Sequence, residues 1–297
     1  MPGLFSCFVK DRAAAGRWTR PAARARKKAL RPEPAMTFTL ATWNINSVRL
    51  REALVSRLLT EEMPDILCLQ ECKSPVEKMP LEAFRALGYN WCVARGQKSY
   101  NGVAILSKLP LVDAGDHDFA DLGHARHVSA TLGNGVTIHN CYVPAGGDIP
   151  DREQNVKFGQ KLDYLTRMRD WCRSDTPRKA ILVGDLNIAP REDDVWNHKA
   201  LLKIVSHTPI EVDHLNALME AGAWIDVTRK DLPEGRLYSW WSYRSPDWEA
   251  ADKGRRLDHI WATPDIANAA HGSRILRAAR GWLQPSDHAP VFATFDL

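Results

Sequence analysis

Six apolar runs in this sequence stop at side chains able to hold a cation, move a proton or bond an anion. Asn44-Ile45-Asn46 closes LATW, Glu71 closes DILCLQ, Tyr142 closes HNCY ahead of Pro144, and Asp185-Leu186-Asn187 closes ILVG. Asp258 opens a run after RRL, and Asp287-His288 sits in PSDHAP before the last one. Singly, each has an ordinary structural explanation. Asp and Asn cap helices and form turns, a strand-end Glu is usually solvated, and a core Tyr bonds its hydroxyl. An Asp-His pair beside prolines makes a tight turn. Together they supply carboxylates, amides, a phenol and an imidazole whose ordinary pKa of ~6.5 lets it work near neutral pH. That set makes one complete hydrolytic site, and loops at the ends of rigid strands are where such sites gather.

The hydrophobic pattern describes the scaffold. TFTLATW, from residue 37, reads as a strand. Ser47 is placed to cap a helix over RLREALVSRLLTEE, with Leu50, Leu54 and Leu58 on one face and Pro64 ending it. DILCLQE reads as a buried strand, and GYNWCVA and GVAILS as further strands. HVSATL and GVTIHNCYV form a predicted hairpin across Gly133-Asn134-Gly135. A long helix spans roughly 152–174, followed by the buried strand KAILVGD. In the second half a helix near VDHLNALMEAG precedes WIDVTR, while YSWW, LDHIWAT and PVFATFDL read as strands. Hairpins mixed with strand–helix–strand units predict an α/β fold: a four-layer α/β sandwich, two mixed β-sheets packed face to face with helices outside.

Composition narrows the classes. The chain has 297 residues, 44% hydrophobic and 26% charged, with no apolar run near the ~20 residues that span a bilayer. Its six cysteines contain no CxxC pair, which argues against a disulfide scaffold or a zinc ribbon. Cys68, Cys72, Cys92, Cys141 and Cys172 fall mostly in apparent core elements, as small buried hydrophobes. The net charge of +4 is uneven: residues 1–35 carry nine basic and two acidic side chains, a net of +7, and residues 36–297 a net of −3. We therefore divide the chain into a basic N-terminal extension, 1–35, expected to be disordered or weakly helical, and one catalytic domain, 36–297. Three readings of the extension stand open. Met36 is the true start, or the Arg-rich stretch is an organelle-targeting peptide, or it is a DNA-binding arm. The first is preferred.

The strings WNINS, DILCLQE, YVP, GDLN, RLDHIW and PSDHAP, in this order across residues 36–297, resemble the exonuclease III family of AP endonucleases, within the DNase I-like endonuclease/exonuclease/phosphatase superfamily. YSWWSYR and PSDHAP narrow the resemblance to the exonuclease III branch. It implies the four-layer sandwich, dependence on Mg²⁺ (with Mn²⁺ able to substitute), cleavage of double-stranded DNA 5′ to abasic sites, and 3′→5′ exonuclease and 3′-phosphatase action on blocked 3′ ends. By that resemblance Glu71 is the leading metal ligand, completed or supported by Asn44, Asn46 and Asp287, with one dominant metal expected. His288, oriented by Asp258, polarises water or phosphate, and we expect the neutral imidazole to be the working form. Asp185 activates water or protonates the leaving group, and Asn187 and Tyr142 bond phosphate oxygens. Arg49, Lys73, Tyr100 and Arg126 are candidate backbone-phosphate contacts. Trp240, Trp241 and Leu257 match positions that line the abasic-sugar pocket, where an aromatic wall suits a baseless sugar.

The chain also departs from the pattern. Ala145 stands where many relatives have Asn or Gln, and Arg255 where some place a pocket Trp. A monomeric, cytoplasmic DNA-repair enzyme without membrane contact is the resulting expectation. A superfamily phosphatase acting on inositol phosphates or lipids is disfavoured by YSWWSYR and PSDHAP. A non-enzymatic DNA-binding relative would be expected to have lost one of Glu71, Asp185, Asn187, Asp258 or His288, and all five are present.

Overall fold

The structure, a computed structural model, describes residues 36–245 and 247–297; the basic extension 1–35, with its three readings, lies outside the described residues. The elements run in the order β1 (Thr37–Asn44), α1 (Glu52–Glu61), β2 (Ile66–Gln70), α2 (Leu81–Ala86), β3 (Trp91–Arg95), β4 (Val103–Ser107), β5 (Leu111–Gly115), β6 (His127–Leu132), β7 (Thr137–Tyr142), α3 (Val156–Ser174) and β8 (Ala180–Asp185). Then come α4 (His198–Leu201), α5 (Pro209–Ala221), β9 (Ile225–Asp226), α6 (Val227–Asp231), β10 (Trp240–Trp241), α7 (Trp248–Ala251), β11 (Gly254–Arg255), β12 (Asp258–Ala262), α8 (Pro264–Ala267), β13 (Ala270–Ile275) and β14 (Val291–Asp296). No helix among the described residues is long and apolar enough to cross a membrane.

Two six-stranded sheets form, in the orders β13-β14-β1-β2-β4-β3 and β5-β6-β7-β8-β12-β9. Each has one parallel pair, β1 with β2 and β7 with β8, among antiparallel neighbours. Side chains alternate across a strand, and the packing follows. Phe38 and Leu40 of β1 enter the core between the sheets with Ile66, Ile138, Ile181 and Ile260. Ala41 and Trp43 turn outward beneath Val55 and Leu58 of α1. On the far side, Leu182 and Trp261 meet Tyr164, Leu165 and Leu215 from α3 and α5. Helices, sheet, sheet and helices are the four layers expected.

The connectivity matters for the site. β1, β2, β7 and β8 present their C-terminal ends, while β12 pairs antiparallel to β8 with Asp258 opposite Asp185. β14 pairs antiparallel to β1 with Val291 opposite Thr42, so the PSDHAP loop arrives at the same edge. At Gly184 the parallel pair closes tightly: a Cβ there would fall 1.9 Å from the Cys141 carbonyl oxygen, so only glycine precedes Asp185.

Local expectations fared unevenly. The 133–135 hairpin closes as expected, with Gly135 N–H on Leu132 O at 2.9 Å. Ser47 does not cap α1, which starts at Glu52 without a side-chain cap. The Ser47 N–H instead reaches Glu71 O at 2.7 Å, because residues 45–48 continue bonding alongside β2. WIDVTR splits into two-residue β9 and α6, because the Asp226 side chain accepts from Arg229 N–H and starts a helix there. β5, β13 and α2 carried no expectation.

α3 begins at Val156 under an Asn155 cap. From it Lys161, fully buried, donates to Glu211 of α5 and to the carbonyls of Asn187 (2.8 Å) and Ala145 (3.3 Å). Replacing Lys161 with Met would strand the equally buried Glu211 carboxylate, and breaking such a pair costs about 3–5 kcal/mol. Urea unfolding should register that loss; a change below about 1 kcal/mol would show that the pair does not hold α3 to α5.

Candidate active site

Where the central strands end, the backbone leaves the ladder abruptly. Asn46, Glu71 and Asn187 take left-handed conformations, with φ of 49°, 51° and 55°. Such conformations are disfavoured for residues with a Cβ by about 1–2 kcal/mol, and the hydrogen bonds of the site hold them.

Asp185 sits at the buried centre. Its Oδ1 accepts from Asn187 N–H at 2.9 Å, and its Oδ2 from the side-chain amides of Asn44 (2.8 Å) and Asn187 (3.0 Å). His288 lies between two carboxylates. Its Nδ1 is 2.8 Å from Asp258 Oδ2 and its Nε2 is 3.7 Å from Asp185 Oδ2. Burial alone would lower the imidazole pKa, but Asp258 and Asp185 outweigh it and push it up to about 10. Burial raises Asp185 to about 7, against the lowering influence of His288. The expected neutral imidazole is therefore reversed: these neighbours favour the doubly protonated ring.

A second cluster adjoins the first. Glu71 Oε1 accepts from Asn44 Nδ2 (2.9 Å) and the Tyr142 hydroxyl (2.8 Å), and Oε2 meets the Lys73 ammonium at 2.7 Å. Burial would raise the Glu71 pKa; Lys73 and the hydrogen bonds from Asn44 and Tyr142 outweigh it and hold the carboxyl below its ordinary value. Lys73 also donates to Asn46 Oδ1 at 2.6 Å. Asn46 Nδ2 bonds Asp287 Oδ1 (3.2 Å), and the Trp240 indole bonds Asp287 Oδ2 (3.0 Å). Glu71 and Asn46 thus converge hard oxygens on one cationic nitrogen, and the same oxygens, with Asp287 one hydrogen bond away, suit a hard divalent cation. Asn44 supports that set. Its amide nitrogen holds both Glu71 and Asp185, and its oxygen accepts from Asn46 N–H, so it orients carboxylates. Asp185, Asp258 and His288 also group potential ligand atoms within 4.8 Å of one another. There, however, the imidazole Nδ1 is already bonded to Asp258, which suits proton handling.

A cavity of about 820 Å³ opens onto Glu71, Asp185, Asn187, Asp287 and His288. Trp240 is half-buried in its wall; Trp241 is buried behind it, with its indole on Asp252 Oδ1 at 3.0 Å; Leu257 packs beside Trp240. The four expected phosphate contacts separate. Lys73 stands in the site. Arg126 is turned inward, its guanidinium 4.6 Å from the Tyr142 ring centroid and Nη1 on Tyr142 O. Arg49 and Tyr100 are exposed, away from the cavity lining.

Several supports had no local sequence signal, because they act on backbone. Ser239 Oγ accepts from the N–H groups of Leu257 and Asp258, Trp43 Nε1 donates to His288 O, and Ser286 Oγ donates to Asn44 O. Arg256, next to Leu257, is buried against Asp194 and Asp226.

The chain is similar to known proteins over most of its length. Residues 41–288 match the model of the Endonuclease/Exonuclease/phosphatase family. The chain is 28% identical to exodeoxyribonuclease III of Haemophilus influenzae, over 86% of this chain and 98% of that protein. Among solved structures, a Neisseria 3′ phosphatase bound to a product DNA hairpin is similar at 33% identity and a TM-score of 0.80, covering 88% of this chain and all of that one. An AP endonuclease from Archaeoglobus fulgidus is similar at 32% identity and a TM-score of 0.81, with the same coverage.

Proposed function

The chain belongs to the endonuclease/exonuclease/phosphatase family, in its exonuclease III branch, and on that footing we propose that it is a metal-dependent DNA phosphodiesterase of base excision repair. It cleaves duplex DNA 5′ to abasic sites and acts on 3′ ends as a 3′→5′ exonuclease and 3′-phosphatase. The observation that carries this reading is the joining of two clusters in one cavity: Asp185, His288 and Asp258 for proton handling, and Glu71, Asn46 and Asp287 for a cation.

Mg²⁺, with Mn²⁺ as a substitute, would be held by Glu71, with Asn46 and Asp287 beside it. When bound it supplies Lewis-acid neutralisation of phosphate charge. The rest belongs to the chain. Asp185, held in place by Asn44 and Asn187, takes the proton of the attacking water. The His288 imidazolium, fixed by Asp258, faces the negative charge that builds on phosphorus-bound oxygen. Asn187 and Tyr142 donate to phosphate oxygens, Lys73 adds positive charge, and Trp240 with Leu257 walls the sugar. Residues 36–297 form the catalytic domain of a monomeric, cytoplasmic enzyme acting at the nucleoid; organelle targeting by residues 1–35 is the alternative location.

Incubating the full chain with a duplex carrying one abasic-site analogue, with and without Mg²⁺, tests the reading. A single Mg²⁺-dependent cut that leaves a 3′-hydroxyl upstream and the abasic sugar on the 5′ end downstream is expected. An intact duplex, or a cut on the 3′ side, overturns it.

A further inference from the structure

Arg51 stands at the head of α1, where its side chain does not cap the helix. It reaches back instead toward the cation half of the site. Arg51 is buried, and all three of its guanidinium nitrogens donate to neutral acceptors. Nη1 bonds Asn46 O, Nε bonds Gln284 O at 3.1 Å, and Nη2 bonds the Tyr243 hydroxyl at 2.9 Å. That hydroxyl donates in turn to Pro285 O at 2.8 Å. The Arg280 guanidinium, 5.1 Å from the Tyr243 ring centroid, covers the phenol ring. One side chain thus ties the segment that ends in Asn46 to the segment that leads into Asp287, 241 residues away.

Both tied segments need holding. Asn46, Ser47 and Gln284 have φ of 49°, 89° and 53°, left-handed values that residues with a Cβ disfavour. A direct bond also joins the segments, from Asn46 Nδ2 to Asp287 Oδ1 at 3.2 Å, but it uses a carboxylate oxygen that suits a cation. Arg51 grips backbone carbonyls and leaves the side-chain oxygens to a ligand. Its charge acts the other way, because a guanidinium close to a cation site repels the cation. Geometry and charge therefore predict opposite effects when Arg51 is removed.

We propose that Arg51 is a positioning residue for the cation site, holding Asn46 and Asp287 together through their backbone segments, with Tyr243 as its further anchor. The proposal rests on the cation assignment in the reading above.

Mn²⁺ binding to the full chain without DNA, followed by electron paramagnetic resonance, tests it apart from catalysis. Arg51→Met should weaken binding by about 10-fold, the worth of roughly one hydrogen bond, although the substitution removes a positive charge. Arg51→Lys keeps the charge but replaces the planar fork with a point charge, so it should weaken binding by a similar factor. Tyr243→Phe, which removes only the hydroxyl, should shift binding in the same direction by less. In the Arg51 variants the Mg²⁺ concentration that half-activates cleavage of abasic duplex should rise in step with the Mn²⁺ constant. An Arg51→Met isotherm that is unchanged or tighter overturns the proposal. So does a loss of kcat or of melting temperature with metal binding intact, the mark of a merely structural role. If Arg51→Met does not fold, Arg51→Lys and Tyr243→Phe decide by the same measurement. Wild-type Mn²⁺ binding that Glu71→Gln leaves undiminished overturns the cation assignment itself, and this proposal with it.

Discussion

Replacing His288 with Ala is expected to lower kcat on abasic duplex by roughly 10²–10⁴-fold, the usual range for a positioned acid–base group, while DNA affinity changes little. The ring is buried between Asp258 and Asp185, 2.8 Å and 3.7 Å from their carboxylate oxygens. It therefore works on charge that develops in the transition state, and such a residue shows itself in kcat more than in binding. Asp258→Asn should move kcat in the same direction by a smaller amount, because an amide still bonds Nδ1 but no longer supplies the countercharge. Steady-state kinetics beside a binding isotherm and a melting curve separates the roles. A His288→Ala enzyme with near-normal turnover at saturating Mg²⁺ would place the chemistry elsewhere.

Metal removal should act as strongly. Excess EDTA is expected to reduce cleavage by at least about 10³-fold, since a Lewis acid contributes several kcal/mol to such a transition state. Mg²⁺ or Mn²⁺ should restore it. Glu71→Gln should shift the activating Mg²⁺ concentration upward without unfolding the chain. The substitution keeps acceptor capacity toward Asn44 and Tyr142 but removes the charge that now attracts Lys73. Full activity in excess chelator would sink the cation role of Glu71, Asn46 and Asp287 together.

Much of this was legible in sequence because two local rules operate strongly here. Strands buried on both faces read as short apolar runs, so β1, β2, β8 and β12 were recognisable without contacts. A polar residue ending such a run is conspicuous, so Glu71, Asp185 and His288 stood out. The Gly133–Gly135 turn was readable because its chemistry is contained in three residues. Short or half-exposed elements such as β5 and β13 lacked that contrast.

What the chain could not announce was which neighbours each polar group would find. Residue type and spacing pointed to the strand-end candidates of the site, the sandwich class and the cavity's aromatic character. Only the tertiary structure decided that Asn44 orients two carboxylates, that Arg126 turns inward to Tyr142, and that His288 lies between two carboxylates that raise its pKa. It also decided that Lys161 of α3 grips the Asn187 loop, and that Arg255 lines the cavity with Nη1 anchored on Val205 O. The reason is physical. Hydrophobic alternation is a property of a few consecutive residues, whereas hydrogen-bond partners and protonation depend on charges and dipoles within a few ångströms. Here those come from strands that are tens to hundreds of residues apart in sequence, brought to one edge by the two sheets.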